Sequence, residues 1–209
     1  ISGLIDMKWR KFITASAATM LLGLSTSVLA QEAETENNTF GGWEFVEVYH
    51  NFKDSNWFGA IYFEHDNYQY KRLECWYTRL TVGYKITSWL KTDIAYDFMK
   101  EPGYITHRGV YDLTATLKQG NLSVSLRERY IHSWSPSISK HSDVLRTRLK
   151  AQYSIPNSRF RPYLAVEVFT WDVGKKTRHY VATTFEINDH FEIEGYYLYY
   201  TFSGAPAEH

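Results

Sequence analysis

Arginine recurs at a spacing of two in this chain, as Arg127-x-Arg129 and again as Arg146-x-Arg148. On an extended strand that spacing aims both guanidinium groups at one face. The same alternation collects Arg79, Lys85, Lys91, Arg108, Lys150 and Arg178 beside them, and the acids Asp93, Asp97, Asp112, Glu167 and Glu186. Bases outnumber acids on this face roughly two to one. Charges held in a narrow enclosed space are costly to desolvate and must pair. Arginine suits such pairing because its planar fork holds a carboxylate through two hydrogen bonds. Glu167, between the apolar Val166 and Val168, is the central acceptor that this pattern predicts.

Catalytic chemistry has weaker support. His132-Ser133 and Ser135 stand together near a strand end, but adjacent residues on an extended strand point to opposite faces. A Ser–His dyad there would need a turn. His179 and His190 are further rim candidates, and His107 and His141 sit in loops without evident partners. Asp93 and Asp97 share a face but lie roughly 13 Å apart along a strand, too far to share a proton. No zinc-ligand spacing is present, and no cofactor motif. Cys75 is the single cysteine, so no intramolecular disulfide can form, and nothing adjacent would activate its thiol.

The elements that must position these groups are strands. Trp76, Thr78, Leu80, Val82, Tyr84 and Ile86 alternate with Tyr77, Arg79, Thr81, Gly83 and Lys85. A period of two is the signature of a β-strand. The pattern predicts strands at Trp43–Tyr49, Trp57–Glu64, Leu73–Ile86, Leu90–Met99 and Arg108–Leu117. Five more are predicted at Leu122–Ile131, Val144–Tyr153, Pro162–Trp171, Thr177–Ile187 and Phe191–Phe202. Segments of about ten residues match what a tilted strand needs to cross a bilayer. The expected fold is therefore all-β, an antiparallel up-and-down transmembrane barrel of about ten strands.

Which face meets lipid is read from side-chain size. Gly83, Ala95, Ser123, Ser125, Ala165, Ala182 and Gly195 fall on the polar face. Tiny residues are poor strand formers on a solvated sheet but suit a crowded lumen. The opposite face is bulky: Leu122, Val124, Leu126, Leu145, Leu149, Leu164, Val166 and Val168, then Tyr196, Leu198, Tyr200 and Phe202. Aromatics form 17% of the chain, with 17 Tyr and 7 Trp, as expected of the girdles at the two membrane interfaces.

Met7 to Lys11 form a positive n-region, followed by the apolar run Phe12–Leu24 and the small-residue site Val28-Leu29-Ala30. This reads as a signal peptide over 7–30, with cleavage leaving Gln31 as the first residue. Residues 1–6 read as upstream sequence, 31–40 as a flexible N-terminus, 41–203 as the barrel and 204–209 as a tail. Lys plus Arg and Asp plus Glu are equal at 23 each, so no basic excess points to nucleic acid. Tight turns are expected at Thr87-Ser88-Trp89, 118–121 and 188–190. Longer connections are expected at 65–72, 100–107, 132–143 and 172–176. This is the reverse of the outward-long pattern usual for such barrels.

The ordered motifs Leu126-Arg127-Glu128-Arg129-Tyr130, Leu145-Arg146-Thr147-Arg148-Leu149, Arg161-Pro162-Tyr163 with Glu167 and Phe169, and Arg178 before a Tyr-rich closing strand resemble a known family. It is the family of small exported barrels designated domain of unknown function 2490, and the resemblance spans Trp43 to Phe202. It implies a barrel of outer-membrane type and supplies no activity or catalytic residue. The residues Ser203–His209 beyond Phe202 depart from the aromatic ending usual in outer-membrane barrels.

The expected partners are outer-membrane lipid and the barrel-assembly machinery, with a small anionic or lipid ligand as a further option. The expected role is structural or a narrow solute or anion path lined by the Arg–carboxylate network. The rivals are a rim-located hydrolase acting on lipid or peptide, and a soluble periplasmic barrel binding a hydrophobic ligand.

Overall fold

The computed structural model describes residues 41–68, 72–171, 174–188 and 191–203. The expected leader (7–30), flexible N-terminus (31–40) and tail (204–209) lie outside them. Ten strands follow one another: β1 (Gly41–Asn51), β2 (Trp57–Tyr68), β3 (Arg72–Lys85), β4 (Leu90–Glu101) and β5 (Tyr104–Gln119). Then come β6 (Leu122–Ser135), β7 (Lys140–Tyr153), β8 (Phe160–Trp171), β9 (Gly174–Asn188) and β10 (Phe191–Ser203). They form one sheet in sequence order, each strand antiparallel to the next. This is the up-and-down architecture that the alternation predicts.

The sheet is a single layer, accompanied among the described residues only by a one-turn 3₁₀ helix at Pro136–Ile138. Asp97 and Glu167 are nevertheless 0% exposed. A single layer can bury a carboxylate so completely only by curling around it, so the charged face is the concave one. Glu47 on β1 lies within electrostatic range of Arg129 on β6, across the interior.

The convex face inverts the ordinary rule for a soluble protein. Ile94 and Leu164 are each 62% exposed, and Leu80, Val82, Leu126, Leu149 and Val181 also point outward. Aromatic rings mark both ends of this apolar band. At the first rim, where β1 begins, contacts run Phe63–Trp76–Phe98–His107–Trp134, with centroids 5.4–6.1 Å apart. At the second rim Trp57 packs on Tyr84 at 5.0 Å and Phe160 on Phe185 at 4.7 Å. An apolar band between two aromatic girdles is the surface of a membrane-spanning barrel.

Two expectations need correction. The long connections predicted at the first rim are mostly strand: β2 continues to Tyr68, β4 to Glu101 and β6 to Ser135, while β5 starts at Tyr104 and β7 at Lys140. Polar residues there break the apolar alternation without breaking the hydrogen-bond ladder. The longer described turns, 52–56 and 154–159, lie at the second rim. Each includes one residue in the left-handed region, Asp54 at φ 54° and Asn157 at φ 57°. The second correction concerns β10. Tyr196 and Leu198 pack inward against Tyr163, Ala165, Tyr180 and Ala182, while Tyr197 and Tyr199 face out. Gly195 therefore lies on the convex face, not the polar one. The side chains of Tyr200 and Phe202 fall outside the described set.

Candidate functional site

The interior is built by register. Residues directly opposite on antiparallel strands have Cβ atoms about 5 Å apart, and here the opposed residues are charged. Asp97 on β4 faces Arg79 on β3 and Arg108 on β5. Arg79 donates to both carboxylate oxygens, from Nε at 2.6 Å and Nη2 at 2.8 Å. Arg108 adds a bond from Nε at 2.8 Å. Asp112 on β5 faces Arg129 on β6, which grips it through Nε at 2.7 Å and Nη2 at 2.5 Å. These bidentate forks hold neighbouring strands in register.

A second cluster surrounds Glu167 on β8. In register it lies between Arg148 on β7 and Arg178 on β9. Its hydrogen bonds reach elsewhere: Arg127 on β6 donates to Oε1 at 2.8 Å, Arg146 on β7 to Oε2 at 2.9 Å, and the Tyr180 hydroxyl to Oε2 at 3.1 Å. Arg178 approaches Oε2 at 4.0 Å. Aromatic rings support the guanidinium planes: Phe169 lies under Arg146 at 4.4 Å and Arg178 at 4.6 Å. Arg148 lies over Tyr180 at 4.8 Å. Cation–π contact of this kind keeps a charged fork extended in an interior poor in water.

The remaining candidates are placed differently. Asp93 is half-buried, opposite Asp112 in register, and makes no ion pair among the described residues. Glu186 is exposed near the second rim and pairs with Arg161 at 3.3 Å. Lys150 stands over the Tyr163 ring at 3.9 Å. Cys75 is buried on the concave side, its thiol donating to Asp66 at 3.3 Å.

Several concave-side acids escape the sequence reading. Glu47 shares a face with Phe45 and Tyr49, which stack on the inward rings of Tyr62 and Phe58. Glu64 accepts from the Tyr62 hydroxyl, and Glu194 from Tyr163 at 2.8 Å. Glu192 pairs with Arg161. With these included, the twofold excess of bases disappears for the interior as a whole and survives only locally, around Glu167. The missed signal is Glu192-Ile193-Glu194, whose charges give the parity of β10 more reliably than its tyrosines, which occupy both faces.

The rim histidines form no serine dyad. His132 Nδ1 lies 2.8 Å from Asp143, which also accepts from Tyr130 at 2.6 Å. All three are on the convex face, and Ser133 is on the other side of its strand. Ser135 meets Thr106 at 2.7 Å in the interior, and Thr106 donates to Glu101 at 2.6 Å. His107 stacks on Trp134, His141 lies beside His132 and His179 beside Tyr199. His190 is outside the described residues.

No curated protein matches the chain in sequence. Among solved structures, the chain is similar to one titled "KdgM porin", with a TM-score of 0.51 at 14% identity. The match covers 79% of this chain and 86% of that one, and at this identity it speaks for the fold alone. The model of a family described as "Protein of unknown function (DUF2490)" matches residues 40–208, which takes in every strand described above. The chain belongs to that family.

Proposed function

We propose that the protein is an integral outer-membrane barrel that provides a narrow path for small solutes, its bore set by the interior Arg–carboxylate network. The observation that carries this reading is the pairing of fully buried, ion-paired carboxylates, Asp97 and Glu167, with a convex face of exposed leucine, isoleucine and valine. Resemblance in fold to a porin supports it. A ten-stranded barrel is narrower than the 16-stranded porins with their aqueous channels, so the path passes ions and small solutes. Export follows from the leader, with the mature chain starting at Gln31. Barrel-assembly machinery and outer-membrane lipid are the partners this route requires. Both termini of the barrel lie at the first rim, which this reading places in the periplasm, leaving turns 52–56 and 154–159 outside the cell.

Neither rival is favoured. A soluble barrel would turn its leucines inward, and a rim hydrolase would need a nucleophile beside His132. Purified protein in planar bilayers tests the proposal. Discrete conductance steps well below those of a 16-stranded porin are expected, and bilayers that stay silent with demonstrably folded protein overturn it.

A further inference from the structure

We propose that the arginines around Glu167 bind an oxyanionic solute, a small molecule carrying carboxylate or phosphate groups. The inference rests on the solute-path reading and adds the class of solute. Three guanidinium groups, those of Arg127, Arg146 and Arg148, gather about one carboxylate, which cannot neutralise them all. Register aggravates that imbalance, since Arg127 faces Arg148 and Arg129 faces Arg146 across the β6–β7 ladder. Like charges directly opposite destabilise a sheet.

Arginines elsewhere in this interior show what satisfaction looks like. Arg79 and Arg129 each engage a carboxylate through Nε and an Nη together, and Arg108 does so through Nε. Around Glu167 the pattern fails. The Nε atoms of Arg127, Arg146 and Arg148 are buried and have no hydrogen-bond partner among the described residues. Arg148 forms no ion pair among them, and its guanidinium rests on the Tyr180 and Tyr163 rings. Buried donors without acceptors are rare in native proteins and costly. Of the acids in range, Asp112 is committed to Arg129 and Glu194 to the Tyr163 hydroxyl, and Asp93, near Arg127, forms no ion pair among the described residues. An incoming oxyanion supplies the missing negative charge and acceptor atoms, and guanidinium forks recognise carboxylate and phosphate alike.

Isothermal titration calorimetry on the folded barrel in nonionic detergent at low ionic strength tests the site. The probes are succinate and inorganic phosphate, with glucose and tetramethylammonium chloride as controls. Saturable one-to-one binding of at least one anion is expected, and neither control binds. Whichever anion binds more tightly identifies the preferred group. Arg148→Gln should weaken binding tenfold or more. Arg148→Lys, which keeps the charge but loses the fork, should weaken it less, and it carries the test if the Gln variant does not fold. Lys85→Gln, an equal change of charge at the second rim, should bind as the wild type does. Wild-type barrel that binds neither anion, or equal loss in Lys85→Gln, overturns the site. Conductance is read separately, so a barrel that conducts without binding defeats this inference and leaves the solute path standing.

Discussion

Glu167 has large energetic leverage for a single side chain, because it is fully buried and bonded to two arginines and a tyrosine. Glu167→Gln keeps the volume and removes the charge, so Arg127 and Arg146 lose the carboxylate that each bonds among the described residues. Breaking a buried pair from one side costs about 3–5 kcal/mol. The variant should show a lower urea midpoint in the transition from folded to unfolded gel mobility, and an unchanged midpoint would mean that the cluster is not load-sharing. Asp143→Asn, on the exposed His132–Asp143 pair, should move that midpoint little. Gly83 is the other residue whose type is dictated by contact. A Cβ there would overlap the ring of Phe58, which is 2% exposed and stacks on Tyr49. Gly83→Val should destabilise by about 1–3 kcal/mol, as overpacking does. Phe58→Leu made in the same chain should recover part of that loss, a coupling expected of residues in contact. Strict additivity of the two changes would show that they do not touch.

Among the elements, the ten strands and the faces of β3 to β9 can be read directly from alternation. A period of two leaves little freedom once one face is bulky and the other charged. Arg79, Asp97, Asp112, Arg127, Arg129, Arg146, Arg148, Glu167 and Arg178 all occupy the concave side for that reason. Partner choice was less legible. Glu167 stands opposite Arg148 yet bonds Arg127 and Arg146, a selection made by long side chains reaching across a curved surface. Strands run past their expected ends because hydrogen bonding persists through polar residues such as Lys100-Glu101 and Ser133–Ser135. The parity of β10 was lost because tyrosine stands on both of its faces, Tyr196 packed inside and Tyr197 outside at 66% exposure. Tyr197→Arg places a charge on the lipid-facing side in mid-strand and should cost about 2–4 kcal/mol near the bilayer midplane. Stability equal to the wild type would put Tyr197 in the lumen instead.

For the molecule as a whole, two surfaces of opposite character are folded from one sheet. The convex surface gains from meeting hydrocarbon, and the ion-paired concave surface lines a lumen that lipid could never solvate. Charge is divided unevenly inside: Arg79, Arg108 and Arg129 are matched by Asp97 and Asp112, with Asp93 close by, whereas the Glu167 cluster is left strongly positive. On the proposed solute path, local electrostatics, and not net charge, would determine what the barrel admits. The whole account depends on which face looks outward. Single cysteines placed in turn at residues 163–169 of a Cys75→Ser background, spin-labelled and reconstituted into lipid vesicles, report this directly through collision with oxygen or with a water-soluble nickel chelate. Labels at 164, 166 and 168 should collide with oxygen and be shielded from nickel, with the opposite pattern at 163, 165 and 167. Alternation in the reverse phase, or labels at 164, 166 and 168 open to nickel, would contradict it.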